Sequence, residues 1–129
     1  GGEDYESAEA WQKRIVDACK TTPSPGSGLC ALWVSNVYER AGQTRPYGNG
    51  NSILSGSTTT STDWDNIKVG QILSAQSTPT DLGRIYGHTG IYIGDGMVMD
   101  NIGYVRTISL TEWLSFYSSY GWVKYGWPW

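Results

Sequence analysis

The sequence predicts a single α+β domain in which N-terminal helices pack on a small antiparallel β-sheet. The chain has 129 residues, of which 39% are hydrophobic and 13% aromatic, and this composition is enough to build one core. Apolar residues recur at helical spacing before residue 42, whereas short strand-like segments separated by turn residues follow Gly70. Because helices come first and strands follow, the layout is α+β, and one domain is expected to span residues 1–129.

Two helices are predicted in the first third of the chain. The first covers residues 7–20 and ends at the prolines and glycines of "TTPSPGSG". The second runs from about residue 28 to residue 41, with Ser27 as its N-cap and Gly42 where glycine commonly ends a helix. Residues 43–66 are rich in Gly, Ser, Thr and Asn, so they are expected to form a long surface loop that rims a site.

Short strands and one further helix are predicted after Gly70. Ser109 and Glu112 have the S-x-x-E spacing of a capping box, which indicates a helix in "SLTEWLSFY". The strands are expected at "QILSA", "GHTGIYI", "MVMDN", "YVRTI" and "WVKYGW". The glycine-rich turn between "GHTGIYI" and "MVMDN" predicts that these two strands pair as a β-hairpin.

Charge and hydropathy argue against several classes of partner. Nine basic against twelve acidic residues give a formal net charge of −3, and the sequence lacks the clustered positive residues that bind a phosphate backbone. No apolar run approaches the roughly 20 residues that a membrane-spanning helix needs. We therefore expect no nucleic-acid partner and no membrane insertion, and we expect the protein to be a monomer.

The two cysteines lie in different chemical settings. If Ser27 is the N-cap, Cys30 falls in the first turn of the second helix, where free backbone N–H groups and the helix dipole favour a negative thiolate. Cys19 lies near the end of the first helix, at the wrong end of the dipole, and is expected to be a small buried hydrophobe. Two separated cysteines and the single His88 have no zinc-type spacing, so neither a metal nor another cofactor is expected.

The length of the hairpin loop decides which side chain lies beside His88. A three-residue loop, Gly94–Gly96, puts Gly90 opposite Asp100 and leaves Asp100 diagonal to His88 on the same face. A two-residue loop shifts the register by one residue and puts Asn101 there instead. The first register keeps the apolar residues of both strands together, so burial of the core favours Asp100.

A thiol at a helix start, a histidine on a strand and an orienting carboxylate are the parts of nucleophilic cysteine catalysis. In this scheme Cys30 and His88 form a thiolate and imidazolium pair, and the thiolate attacks an amide carbonyl. The Cys30 backbone N–H helps to hold the oxyanion, and Asp100 fixes the tautomer and ring direction of His88. The predicted reaction is therefore acyl transfer.

Four segments resemble, in order, the landmarks of the NlpC-type bacterial cell-wall cysteine peptidases: "GLCALWVSNVYERAG", "KVGQIL", "GHTGIYIGDGMVMDN" and "VRTISLTEW". The resemblance covers about residues 27–125 and implies a papain-like fold. In this family the third catalytic residue follows the histidine by twelve positions, which corresponds to Asp100 here. The family usually has histidine, asparagine or glutamine at that position, so an aspartate is a departure.

A second departure lies beside the nucleophile. The family commonly has aspartate before the cysteine and Ser-Gly after it, whereas this chain has Leu29 and Ala31. The segment "GLCALWV" is more similar to the CHAP group of the same superfamily, whose members include both amidases and endopeptidases. The resemblance therefore leaves the cleaved bond open between these two reactions.

The resemblance implies a cysteine endopeptidase that hydrolyses stem or cross-bridge peptides of bacterial peptidoglycan through a thioester acyl-enzyme. Such a protein is secreted or associated with the cell wall, and is bacterial or phage-borne. One alternative is an N-acetylmuramoyl-L-alanine amidase of CHAP type. Another is a non-catalytic wall-binding module, suggested by seven tryptophans and nine tyrosines. The residues expected to contact substrate are Leu29, Tyr86, Gly87 and Asn101.

Overall fold

The computed structural model describes residues 1–129, and its architecture confirms the α+β class. The helices are α1 (Ala10–Thr21), α2 (Cys30–Arg40), α3 (Asp81–Tyr86) and α4 (Leu110–Tyr117). The strands are β1 (Ile72–Ala75), β2 (His88–Gly94), β3 (Met97–Asn101), β4 (Val105–Ser109) and β5 (Val123–Gly126). No helix has both the length and the apolar character needed to cross a membrane.

All five strands belong to one sheet, in the order β4-β3-β2-β1-β5, and every neighbouring pair is antiparallel. Successive side chains of a strand point to opposite faces, and both faces of this sheet are covered. The first face packs on α1 and α2 through Ile72, Ile91 and Met99, and the second packs on α4 through Leu73, Tyr92 and Val98. The helix that carries Cys30 therefore lies directly against the sheet.

The start of α2 differs from the prediction. Ser27 is not the N-cap, because the helix begins at Cys30 and the residue before it, Leu29, provides no side-chain cap. A turn through Gly28, with φ of +75°, separates Ser27 from the helix. The predicted end is confirmed, since Gly42 has φ of +82° and its N–H donates to the Glu39 carbonyl as in a Schellman motif.

The hairpin keeps the predicted register but not the predicted loop. Asp95 and Gly96, with φ of +54° and +73°, form a two-residue turn between Gly94 and its partner Met97. Ile93 is then an extra residue, because the next pair in the ladder joins Tyr92 to Val98. This bulge compensates for the shorter turn, so Gly90 still lies opposite Asp100.

Two further features were not predicted. Helix α3 is only six residues long and contains Gly83, so it has no helical periodicity to detect, although Thr80 caps it by accepting the Gly83 N–H. Residues 43–66 are not entirely a surface loop, because Ile53 and Leu54 reach the core. Gly50, in the same loop, packs directly against the backbone of His88.

Candidate active site

The start of α2 presents a thiol together with free backbone donors. Cys30 is the first residue of the helix, is partly buried and forms no disulfide. The first N–H to find a backbone acceptor is that of Trp33, which donates to the Leu29 carbonyl, so the three preceding N–H groups are unpaired. These donors and the helix dipole favour negative charge at this point.

His88 lies between the thiol and a carboxylate. Its imidazole is buried, and its Nε2 lies 2.7 Å from Oδ2 of Asp100, so the predicted contact between these residues is present. This contact leaves Nδ1 free, and Cys30 lines the same cavity as His88 and helps to raise the pKa of its imidazole. Cys30, His88 and Asp100 are thus brought together in the order that nucleophilic catalysis requires.

Asn101 does not orient His88, and the alternative register is therefore wrong. Its side-chain oxygen accepts from the Ser24 hydroxyl at 2.6 Å, and its amide nitrogen donates to the Gly26 carbonyl at 3.0 Å. These bonds hold the segment that leads into α2. Asn101 consequently helps to position the helix start that carries Cys30.

Asp100 is completely buried and accepts hydrogen bonds from residues that sequence reasoning missed. Arg106 donates hydrogen bonds to both carboxylate oxygens, from Nε to Oδ1 at 2.9 Å and from Nη2 to Oδ2 at 3.0 Å. The indole N–H of Trp113 donates to Oδ2 at 3.1 Å. Arg106 lies directly opposite Asp100 in the β3–β4 ladder, so the loop length between those strands is the signal that could have identified it.

The electrostatics favour an ionised histidine and aspartate. Burial lowers the pKa of His88, but the hydrogen bond to Asp100 and the nearby Cys30 thiol outweigh this effect and raise the pKa to about 9. Burial raises the pKa of Asp100, but hydrogen bonds from His88 and Arg106 bring it below its ordinary value. Near neutral pH the imidazole is therefore positively charged and the carboxylate negatively charged.

Cys19 is in the opposite situation. It is 1% exposed, and burial raises the pKa of its thiol well above the ordinary value. Its thiol is therefore neutral and inaccessible at physiological pH. The structure agrees with the prediction that Cys19 is a buried hydrophobe.

The raised pKa of His88 makes stability depend on pH. The ordinary value is 6.5 and the folded value is about 9, so the stabilisation is complete below pH 6.5 and is lost as pH rises through about 9. We expect the free energy of unfolding to fall in this window, by about 1.4 kcal/mol per unit of pKa difference. Urea unfolding at a series of pH values measures it. His88→Gln should lack the decline, and an equal decline in that variant would contradict the assignment.

Aromatic side chains from α4 close one side of the site. The Tyr117 ring stacks on His88 with centroids 4.7 Å apart and an interplanar angle of 22°. The Tyr117 hydroxyl also accepts from Nη2 of Arg106 at 3.3 Å. This wall limits water access to the ion pair, which strengthens its electrostatic interactions.

Two cavities adjoin Cys30, which lines both of them. The larger, of about 500 Å³, extends past His88 and Arg106, and the smaller, of about 390 Å³, extends past Ser35 and Arg45. The apolar residues of the larger cavity include Leu82, Ile102, Ile108 and Phe116. Of the residues expected to contact substrate, Leu29 lines the smaller cavity, Gly87 and Asn101 line the larger, and Tyr86 lines both. Cys30 is therefore open to both cavities.

Gly87 fixes the backbone at the start of β2, immediately before His88. Its φ is +69°, and a Cβ there would overlap the Ala75 carbonyl oxygen. Gly42 has a similar φ of +82° but open space around it. We expect Gly42→Ala to lose only the roughly 1–2 kcal/mol of a positive-φ substitution, and Gly87→Ala to lose more and to reduce activity. Denaturant unfolding measures both changes. Equal losses would show that the Ala75 contact does not constrain the site.

Comparison with family models, curated proteins and solved structures found no match to this chain. No three His, Cys, Asp or Glu side chains form a group that could hold a metal ion. The geometry around Cys30 is consequently the main basis for assigning a function.

Proposed function

We propose that this protein is a cysteine endopeptidase that hydrolyses peptide bonds in bacterial peptidoglycan. The observation that carries the proposal is the position of His88, whose Nε2 is bound to a buried carboxylate and whose imidazole lines the same cavity as Cys30. A structural histidine has no need of a partly buried thiol at a helix start, whereas acyl transfer requires this arrangement.

The proposed reaction begins with attack of the Cys30 thiolate on an amide carbonyl carbon. The developing oxyanion accepts hydrogen bonds from the unpaired N–H groups at the start of α2. The His88 imidazolium then gives its Nδ1 proton to the nitrogen of the leaving amine as the C–N bond breaks. The products of this step are a free amine and a thioester on Cys30.

Water completes the cycle. Neutral His88 takes a proton from water, and the resulting hydroxide adds to the thioester carbonyl. The C–S bond breaks, the acid product leaves, and the thiolate and imidazolium pair is restored. Throughout, Asp100 keeps the ring oriented through its 2.7 Å contact with Nε2.

The choice of peptidoglycan is supported by the resemblance to NlpC-type peptidases and by the shape of the cleft. A papain-like fold is part of the same proposal, because α2 carries the thiol against an antiparallel sheet that carries the histidine. Two cavities that share Cys30 in their lining suit a substrate that extends beyond the cleaved bond. A protein with this activity acts outside the cytoplasm, as a secreted or wall-associated enzyme of bacterial or phage origin.

Digestion of purified peptidoglycan tests this proposal. An endopeptidase releases new amino groups on stem or bridge peptides and creates no new reducing ends, and both groups can be assayed in the same digest. EDTA should not inhibit. New reducing ends would instead indicate cleavage of the glycan. Sedimentation with cell walls without release of any product would favour the wall-binding module.

A further inference from the structure

Arg106 is connected to the candidate catalytic residues through Asp100. Its guanidinium makes two hydrogen bonds to Asp100 and one to the Tyr117 hydroxyl, and its side chain is 26% exposed. Nη2 of Arg106 and Nε2 of His88 share the same oxygen of Asp100, at 3.0 Å and 2.7 Å. The charge and position of Arg106 therefore affect the hydrogen bond and the protonation of His88.

Several charged or titratable groups face His88. Cys30 approaches from α2, Asp100 from β3, Arg106 from β4 and Tyr117 from α4. Cys30 and the Asp100 carboxylate favour a protonated imidazole, whereas Arg106 opposes it because like charges repel. Tyr117 is neutral at physiological pH, since burial raises its pKa.

We propose that Arg106 is a positioning residue that holds the Asp100 carboxylate in place and limits how tightly His88 keeps its proton. The proposal rests on the proposed hydrolysis, in which His88 is protonated for attack and neutral for activation of water. Without Arg106, a carboxylate that is completely buried keeps only His88 and Trp113 as side-chain partners. The imidazolium then becomes its main counter-charge, so release of the proton is harder and deacylation is slower.

His88 is the only histidine in the chain, so its titration can be followed by NMR in untagged protein. In Arg106→Gln we expect the pKa of His88 to rise by about one unit, from loss of one nearby positive charge. Arg106→Lys keeps the charge but not the bidentate hydrogen bond to Asp100. The pKa of His88 in this variant should stay within a few tenths of a unit of the wild-type value. Arg84→Gln removes a charge from the exposed surface of α3 and should change nothing.

Kinetics on peptidoglycan fragments give the second readout. Arg106→Gln should lower kcat by about 10- to 100-fold, as for other groups that orient a functional imidazole, with a smaller change in KM. Its pH optimum should move to higher pH, whereas Arg106→Lys should lower kcat without moving the optimum. A merely structural arginine would change the melting temperature but not the pH profile.

The outcomes separate this inference from the proposed function. An unchanged or lower pKa of His88 in folded Arg106→Gln would overturn it, and so would full kcat in Arg106→Lys, which applies even if the glutamine variant does not fold. If the pKa rises as expected but no variant, including the wild type, releases peptide from peptidoglycan, the role of Arg106 stands and the proposed substrate is wrong.

Discussion

Replacing Cys30 with alanine is expected to abolish release of peptide fragments from peptidoglycan while the fold is retained. The change removes one sulfur atom from a partly buried position at the start of α2, outside the two clusters of buried apolar residues. In cysteine and serine hydrolases, loss of the nucleophile removes most of the catalysis, by about 10⁶-fold in a well-studied serine case. Circular dichroism and melting temperature should stay close to the wild-type values.

Cys19→Ala is the matched control, because it makes the same substitution in a buried thiol. It should leave a small cavity and cost about 1 kcal/mol of stability, with activity per folded molecule unchanged. Wild-type activity in Cys30→Ala would exclude this residue as the nucleophile. Loss of activity in a well-folded Cys19→Ala protein would show that the two cysteines have been assigned in the wrong order.

Replacing Asp100 is expected to have the second largest effect. Asp100→Ala should lower kcat by about 10⁴-fold with little change in KM, because the charge and tautomer of His88 matter in the transition state. The same change removes the acceptor of the buried Trp113 indole and of the partly exposed Arg106, so stability falls as well. Asp100→Asn keeps the side-chain volume, and its kcat should also fall steeply while it stays better folded.

Asn101→Ala serves as the neighbouring control for Asp100. Its amide holds the segment before α2 through Ser24 and Gly26 and does not contact His88, so a mild effect on kcat is expected. Steady-state kinetics of both variants on the same peptidoglycan fragments measures the difference. A severe loss in Asn101→Ala together with a mild loss in Asp100→Ala would reverse the assignment of the orienting residue.

The pairing of β2 with β3 could be predicted because burial of apolar side chains restricts the register. A slip by one residue would have placed the apolar residues of the two strands on opposite faces. The bulge at Ile93 could not be predicted, since a shorter turn with one extra residue gives the same downstream pairing as a longer turn. The correct contact between His88 and Asp100 thus came from burial, although the loop was wrong.

The remaining parts of the site depend on contacts between elements that are distant along the chain. The two hydrogen bonds from Arg106 to Asp100 follow from the β3–β4 ladder. The hydrogen bond from Trp113 requires α4 to pack on one face of the sheet. Periodicity within each element contains no information about these contacts. Helix α3, which contributes Leu82 and Tyr86 to the cleft, was missed because six residues with an internal glycine have no helical pattern.

Mass analysis of the muropeptides left after digestion, with wild type and Cys30→Ala in parallel, is the most direct test that Cys30 cleaves within the peptide portion. Wild-type digests should contain truncated stems still attached to N-acetylmuramic acid, and Cys30→Ala digests should match undigested material. Intact stem peptides free of sugar would contradict the endopeptidase assignment and indicate an amidase. The same truncated products from Cys30→Ala would contradict the role of the thiol.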